Sequence, residues 1–306
     1  MKYKIDDLFE AVASKGHVCI GLDTSIEYVP KKERKKEKND AKAVLDFNKA
    51  LIDTTHDITA CYKVQIAYYE EMGTEGLKTY SETLKYLRKK GCISIGDIKR
   101  GDIADTAIRY VKAHYNGEFQ ADFVTINPYM GMDSVEPWIK EAHEHSKGAF
   151  ILMRTSNKGM RDFQYLNAVD TESSKPEPPT RLYNKVGEKM AALANKYKGS
   201  NGYGMFGVVV GCTEQEEAAE IRKNFPNLFF LIPGYGAQGG AAQDVALLLR
   251  NGNGGVVNAS RSIITAWKVE SQTLGDVDAK ATYSFAAQAA RRATLKMRDE
   301  IRGALK

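Results

Sequence analysis

The feature that most constrains the fold of this chain is an alternation, repeated eight times, of short apolar runs rich in β-branched residues with longer helical patterns. The runs fall at 17–23, 58–65, 92–99, 121–127, 148–155, 205–211, 228–234 and 255–259, each bounded by turn residues. Helical spacing of apolar residues occupies 41–57, 76–90, 102–116, 133–145, 181–198, 213–224, 241–250 and 279–305. Alternating strands and helices imply a parallel sheet with right-handed crossovers, and eight such units close into a barrel. The expected class is therefore α/β, a (β/α)8 TIM barrel forming a single domain over 1–306.

A length of 306 residues would also allow two ordinary domains, and the element pattern is what decides against them. One connection departs from the pattern. The stretch 156–204, between the fifth and sixth runs, is too long for a single connection and contains Ser173-Ser174-Lys175-Pro176-Glu177-Pro178-Pro179. It is expected to be an insertion at the catalytic end of the barrel, not a second domain.

No apolar run approaches the length that crosses a bilayer, and Met1-Lys2-Tyr3-Lys4-Ile5-Asp6-Asp7 carries acids where a signal peptide would become apolar. A soluble cytoplasmic protein with no membrane partner is expected. The formal net charge is +5, but much of it lies in Lys31-Lys32-Glu33-Arg34-Lys35-Lys36-Glu37-Lys38, where acids are interspersed and aromatics absent. That run reads as a solvated helix or loop, which argues against nucleic acid and leaves a small anionic ligand open. Cys19, Cys61, Cys92 and Cys212 lack metal-ligand spacing and lie in strand-like segments, so buried reduced thiols are expected.

In barrels of this kind, active sites lie at the C-terminal ends of the strands. Polar residues stand at nearly every such end here: Asp23, Lys63, Asp97 and Lys99, Thr155-Ser156, Gln238 and Arg261. The densest cluster is Asp97-Ile98-Lys99-Arg100-Gly101-Asp102, closing the third run. Asp97 and Lys99, two apart on a strand, share a face. Asp102, beyond a glycine able to turn the backbone, can serve another part of the site or a neighbouring subunit. Charges at a buried strand end are costly unless paired, so the cluster is either a salt-bridge lock or catalytic machinery. Each member has a bland reading too: Asp102 as a helix N-cap, Asp97 with Lys99 as a structural pair, Lys63 reaching to water, Asp23 capping a turn.

The loops after the seventh and eighth runs, Pro233-Gly234-Tyr235-Gly236-Ala237-Gln238-Gly239-Gly240 and Asn258-Ala259-Ser260-Arg261-Ser262-Ile263, stand where such barrels receive phosphate. Arg261 adds a fork of donors suited to phosphate oxygens. Gly234-x-Gly236-x-x-Gly239 also matches the dinucleotide fingerprint as a string, but it follows the seventh strand, whereas the fingerprint belongs after the first.

Taken together, the sequence resembles the orotidine 5′-phosphate decarboxylase family, of the longer bacterial type. The matching segments, in chain order, are Gly21-Leu22-Asp23, Tyr62-Lys63, the stretch from Asp97 to Thr106, Arg154-Thr155-Ser156-Asn157 and the two phosphate loops. One departure is Ala259-Ser260 before the arginine, where many members carry glycine; a backbone N–H contact survives it. The resemblance implies loss of CO2 from orotidine 5′-monophosphate to give UMP, in de novo pyrimidine biosynthesis, without metal or organic cofactor. It implies a catalytic array of Lys63, Asp97, Lys99 and Asp102, the last given across a homodimer interface together with Ile103 and Thr106. Asp23 and Lys63 would hold the ribose and Ser156 the pyrimidine. Gln238 would bridge base and phosphate, and Pro233, Ser260 and Arg261 would complete the substrate-binding set.

Two alternatives are weighed against this reading. A Mg2+-dependent sugar-phosphate decarboxylase or aldolase of the same barrel group shares the Asp-x-Lys-x-x-Asp core but needs an acidic metal ligand where Lys63 stands, and a protonated lysine cannot supply one. A non-catalytic nucleotide-binding barrel would need the phosphate and ribose groups but leave the Lys99 array without a use.

Overall fold

The structure is a computed structural model that describes residues 2–169, 178–236, 240–272 and 281–305. Ten strands follow in chain order: β1 Val18–Gly21, β2 Cys61–Gln65, β3 Ile93–Arg100, β4 Phe123–Ile126, β5 Gly148–Arg154, β6 Asn167–Ala168, β7 Thr180–Arg181, β8 Phe206–Val210, β9 Phe230–Ile232 and β10 Gly255–Ala259. Eight of them close into a parallel barrel in the order β1-β10-β9-β8-β5-β4-β3-β2, and helices connect successive strands. A closed barrel has no point where strand order reverses, so this fold offers no dinucleotide crevice of that kind; of the Gly234 to Gly239 string, residues 237–239 lie outside the described residues.

The interior is packed solid below the catalytic end. Phe123 on β4 and Phe150 on β5 fill it with rings 5.3 Å apart, both fully buried. Two glycines make that possible: a Cβ on Gly148 would lie 2.5 Å from the Phe123 ring, and one on Gly207 would lie 2.6 Å from that of Phe150. Above the rings, the same faces of β4 and β5 carry Thr125 and Leu152, so the aromatic floor lies directly beneath the polar mouth.

A helix absent from the sequence expectation, Lys4–Lys15, precedes β1. Ile5, Leu8 and Val12 bury one face of it at spacings of three and four, the signal that would have found it. It lies against the N-terminal end of the barrel, where Asp6 accepts from the backbone N–H of Asn201 and Phe9 O accepts from Asn253.

Between β5 and β8 lie a 3-10 turn, Lys158–Asp162, the β6-β7 antiparallel hairpin and the helix Leu182–Lys196. The segment is pinned by Tyr165, whose hydroxyl donates to Glu217 while the Arg161 and Arg181 guanidinium groups lie 4.8 and 5.4 Å from its ring centre. Gln164 ties it to the end of β5 by accepting from Thr155 N and donating to Thr155 Oγ1, each at 2.9 Å. The Pro-rich stretch lies mostly outside the described residues. All four cysteines are free, but Cys92 is only partly buried and precedes β3, and Cys212 lies beyond β8. No helix among the described residues is long and apolar enough to cross a membrane.

Candidate active site

Three neighbouring strands build a chain of charges at the barrel mouth. Asp23 follows β1, Lys63 lies in β2 and Asp97 in β3. The register pairs Gly21 with Lys63 and Gln65 with Asp97. Lys63 Nζ donates to Asp23 Oδ1 at 2.9 Å and also lies 2.9 Å from Asp97 Oδ2. Lys99 Nζ donates to Asp97 Oδ1 at 2.6 Å. Opposite charges therefore alternate along the sequence Asp23, Lys63, Asp97, Lys99.

Burial sets their protonation through the partners. Desolvation alone would raise the Asp97 carboxyl, but the Lys63 and Lys99 ammonium groups outweigh it and hold the group well below the usual carboxylate range. Desolvation would likewise lower the Lys63 pKa, and Asp23 and Asp97 more than reverse that, holding it above the ordinary lysine value. Asp97 also accepts from Gln65 Nε2 at 2.9 Å and from Thr125 Oγ1 at 2.8 Å, so four side chains donate to one carboxylate. The strand end carrying Asp23 is braced from behind by a buried relay: Thr24 donates to Asn48, Asn48 to the Tyr69 hydroxyl, and Tyr69 to Leu22 O.

Asp97 and Lys99 meet as the two-residue spacing predicts, but not through regular strand alternation. The β3-β4 register breaks between Gly96 and Arg100, and Lys99 has a φ of 45°, in the left-handed region. The break turns the lysine so that its ammonium reaches Asp97 while its side chain stays half exposed to the cleft.

The charges face a cleft with two adjoining lobes that share Lys63, Asp97, Ser156, Pro233 and Asn258. The outer lobe, about 350 Å³, is lined by Asp23, Tyr28, Tyr68, Gly234 and the Ser260-Arg261-Ser262 turn. The inner lobe, about 210 Å³, has Lys99 and Thr125 on one side and the apolar Leu152, Val209 and Leu231 on the other. A flat, partly apolar ring suits the inner lobe, and a polar, anionic group suits the outer one. Ser260 Oγ donates to Asp23 Oδ2 at 2.8 Å, and Arg261 opens the short helix Arg261–Ile264 at the outer rim.

Eight of the sequence-predicted site residues thus meet in one cleft: Asp23, Lys63, Asp97, Lys99, Ser156, Pro233, Ser260 and Arg261. Asp102, Ile103 and Thr106 do not line the cleft of their own chain. Ile103 is 45% exposed, and Asp102 bonds to the adjacent Ile103 N–H. Asp102 is not the helix N-cap either, since that position belongs to Ile103. Gln238 lies outside the described residues. Gln65 and Thr125 also line the cleft and are not among the expected residues, although each had a signal: Gln65 shares Lys63's face by strand alternation, and Thr125 is a polar residue within a buried strand. Among the described residues one group could gather three metal ligands, Glu141, Glu144 and His145, and it does not line the cleft.

Residues 16–273 match the family model described as Orotidine 5′-phosphate decarboxylase / HUMPS family. The orotidine 5′-phosphate decarboxylase of Clostridium acetobutylicum is 52% identical over 301 residues, 98% of this chain and 99% of that protein. The one from Clostridium kluyveri is 50% identical over 297 residues, 97% and 96% respectively. Among solved structures, the OMP decarboxylase of Leishmania donovani superposes with a TM-score of 0.71 at 30% identity, covering 99% of both chains.

Proposed function

The chain belongs to the orotidine 5′-phosphate decarboxylase / HUMPS family and converts orotidine 5′-monophosphate to UMP and CO2, a step of pyrimidine biosynthesis, and we propose that Lys99 within the alternating charge array performs the chemistry. The observation that carries this reading is the ion-pair chain from Lys63 through Asp97 to Lys99, at 2.9 and 2.6 Å, beside the partly apolar inner lobe.

Breaking the C6 to carboxylate bond leaves an electron pair on C6 with no adjacent carbonyl to accept it. A fixed ammonium stabilises that charge as it forms and then delivers a proton to C6, leaving a neutral lysine that regains its proton from water. Lys99 can present such an ammonium, its side chain being half exposed to the cleft while Asp97 holds its Nζ at 2.6 Å. Asp97 stays ionised because Lys63 stands on its far side. In the same reading Asp23 and Lys63 hold the ribose, Ser156 contacts the pyrimidine, Arg261 and Ser260 receive the phosphate with Pro233 beside them, and Gln238 bridges base and phosphate. Phosphate binding far from C6 contributes to the rate only through interactions tightened in the transition state.

Asp102, Ile103 and Thr106 act on the neighbouring site of a homodimer in this account, which is supported by their absence from their own cleft. Four free thiols fit a reducing, cytoplasmic setting. The chemistry needs no metal here, because the cation bridging Asp23 and Asp97 is Lys63 itself. The test is the fall in orotidine 5′-monophosphate absorbance on adding pure protein in excess EDTA. Turnover should persist; activity lost to EDTA and restored by Mg2+ would contradict the metal-free mechanism. Folded, UMP-binding protein without turnover would instead favour a binding module.

A further inference from the structure

We propose that Thr125 is the positioning residue of Lys99, its one hydroxyl fixing both the backbone and the ammonium of the lysine; this rests on the proposed role of Lys99. Between the pairs Gly96↔Val124 and Arg100↔Ile126, β3 carries three residues and β4 carries only Thr125. The extra β3 residues lose their ladder acceptors, and a buried backbone N–H must find another. Thr125 Oγ1 supplies it, accepting from both Ile98 N and Lys99 N at 3.0 Å.

The same oxygen donates its proton to Asp97 Oδ1 at 2.8 Å, the atom that also accepts from Lys99 Nζ at 2.6 Å. A hydroxyl offers one donor and two acceptor sites, and all three are used on the Asp97 to Lys99 turn. Lys99 therefore holds a left-handed conformation, costly for any residue with a Cβ, because its amide is bonded at one end and its ammonium is aimed at the other. Thr125 is 1% exposed, so water cannot substitute for it without rearrangement. Valine has the same shape but neither accepts nor donates, and it would release the turn and one of the four bonds on Asp97.

The experiment compares kcat, KM and UMP affinity in wild type, Thr125→Val, Thr125→Ser and Lys99→Ala. Misplacing a reacting group costs about 10²-fold, so Thr125→Val should lower kcat by about that factor, while KM and UMP affinity stay within about threefold. Thr125→Ser, which keeps the hydroxyl, should recover to within about tenfold of wild type. If the valine variant does not fold, Thr125→Ala is read the same way against Thr125→Ser. Valine or alanine variants with wild-type kcat, or serine and valine variants equally impaired, would overturn the assignment of Thr125. A fully active Lys99→Ala would overturn the role of Lys99 itself, which separates the two failures.

Discussion

At Asp23 two donors share one carboxylate: Lys63 holds Oδ1 at 2.9 Å and Ser260 holds Oδ2 at 2.8 Å. Ser260 reaches it by lying over Gly21, where an added Cβ would stand 2.0 Å from the serine Oγ and 3.1 Å from its Cβ. The glycine and the serine thus depend on each other, and their coupling is testable by a double-mutant cycle. Gly21→Ala should lower kcat/KM at least about tenfold by displacing Ser260 from Asp23, and adding Ser260→Gly should restore part of that loss. A double variant no better than Gly21→Ala alone would mean that the clash lies elsewhere. The family resemblance implied Ser260 in the substrate-binding set, with a backbone N–H contact surviving where many members carry glycine. Its hydroxyl bond to Asp23 was not legible, because it depends on how closely β10 approaches β1.

At the scale of elements, β3 and the segment after it show where pattern reading stops. Apolar runs located every barrel strand, since a buried strand leaves a dense hydrophobic signal. The break in β3 escaped because the acceptor for its two free amides is a side chain on β4. The following helix was expected over 102–116 but runs Ala104–Val111 and then widens into a π-type turn, Lys112–Asn116. That turn buries His114 against Phe119, with ring centres 5.7 Å apart. Burial, with the Arg100 charge adding to it, pushes the imidazole from 6.5 down to about 4. A folded pKa below the unfolded value favours the neutral form, so this contribution is present above about pH 6.5 and lost as pH falls toward 4, a change of about 3 kcal/mol. Melting temperatures should therefore fall more steeply from pH 6.5 to pH 4 in wild type than in His114→Phe. Parallel profiles would remove His114 from the acid response.

At the scale of the whole molecule, one chain gathers most of the expected site residues in its cleft and leaves Asp102, Ile103 and Thr106 outside it. The barrel brings together Lys63, Asp97 and Lys99 from adjacent strands, which the sequence allowed because each ends an apolar run. Asp102 stands apart from them, beside Ile103 at 45% exposure, and Tyr129 at 79% and Met130 at 49% are also left exposed. Large apolar side chains left in water suit contact with a second copy, and a twofold dimer would pass two Asp102 residues reciprocally. The most direct test of this account mixes two variants, Lys99→Ala and Asp102→Ala, and follows orotidine 5′-monophosphate turnover. Each alone should bind UMP with almost no turnover, and an equimolar mixture after subunit exchange should regain about a quarter of wild-type activity, since half the dimers then hold one intact site of two. Full activity in Lys99→Ala alone, or no recovery despite demonstrated exchange, would contradict a site built from Lys63, Asp97 and Lys99 of one chain and Asp102 of another.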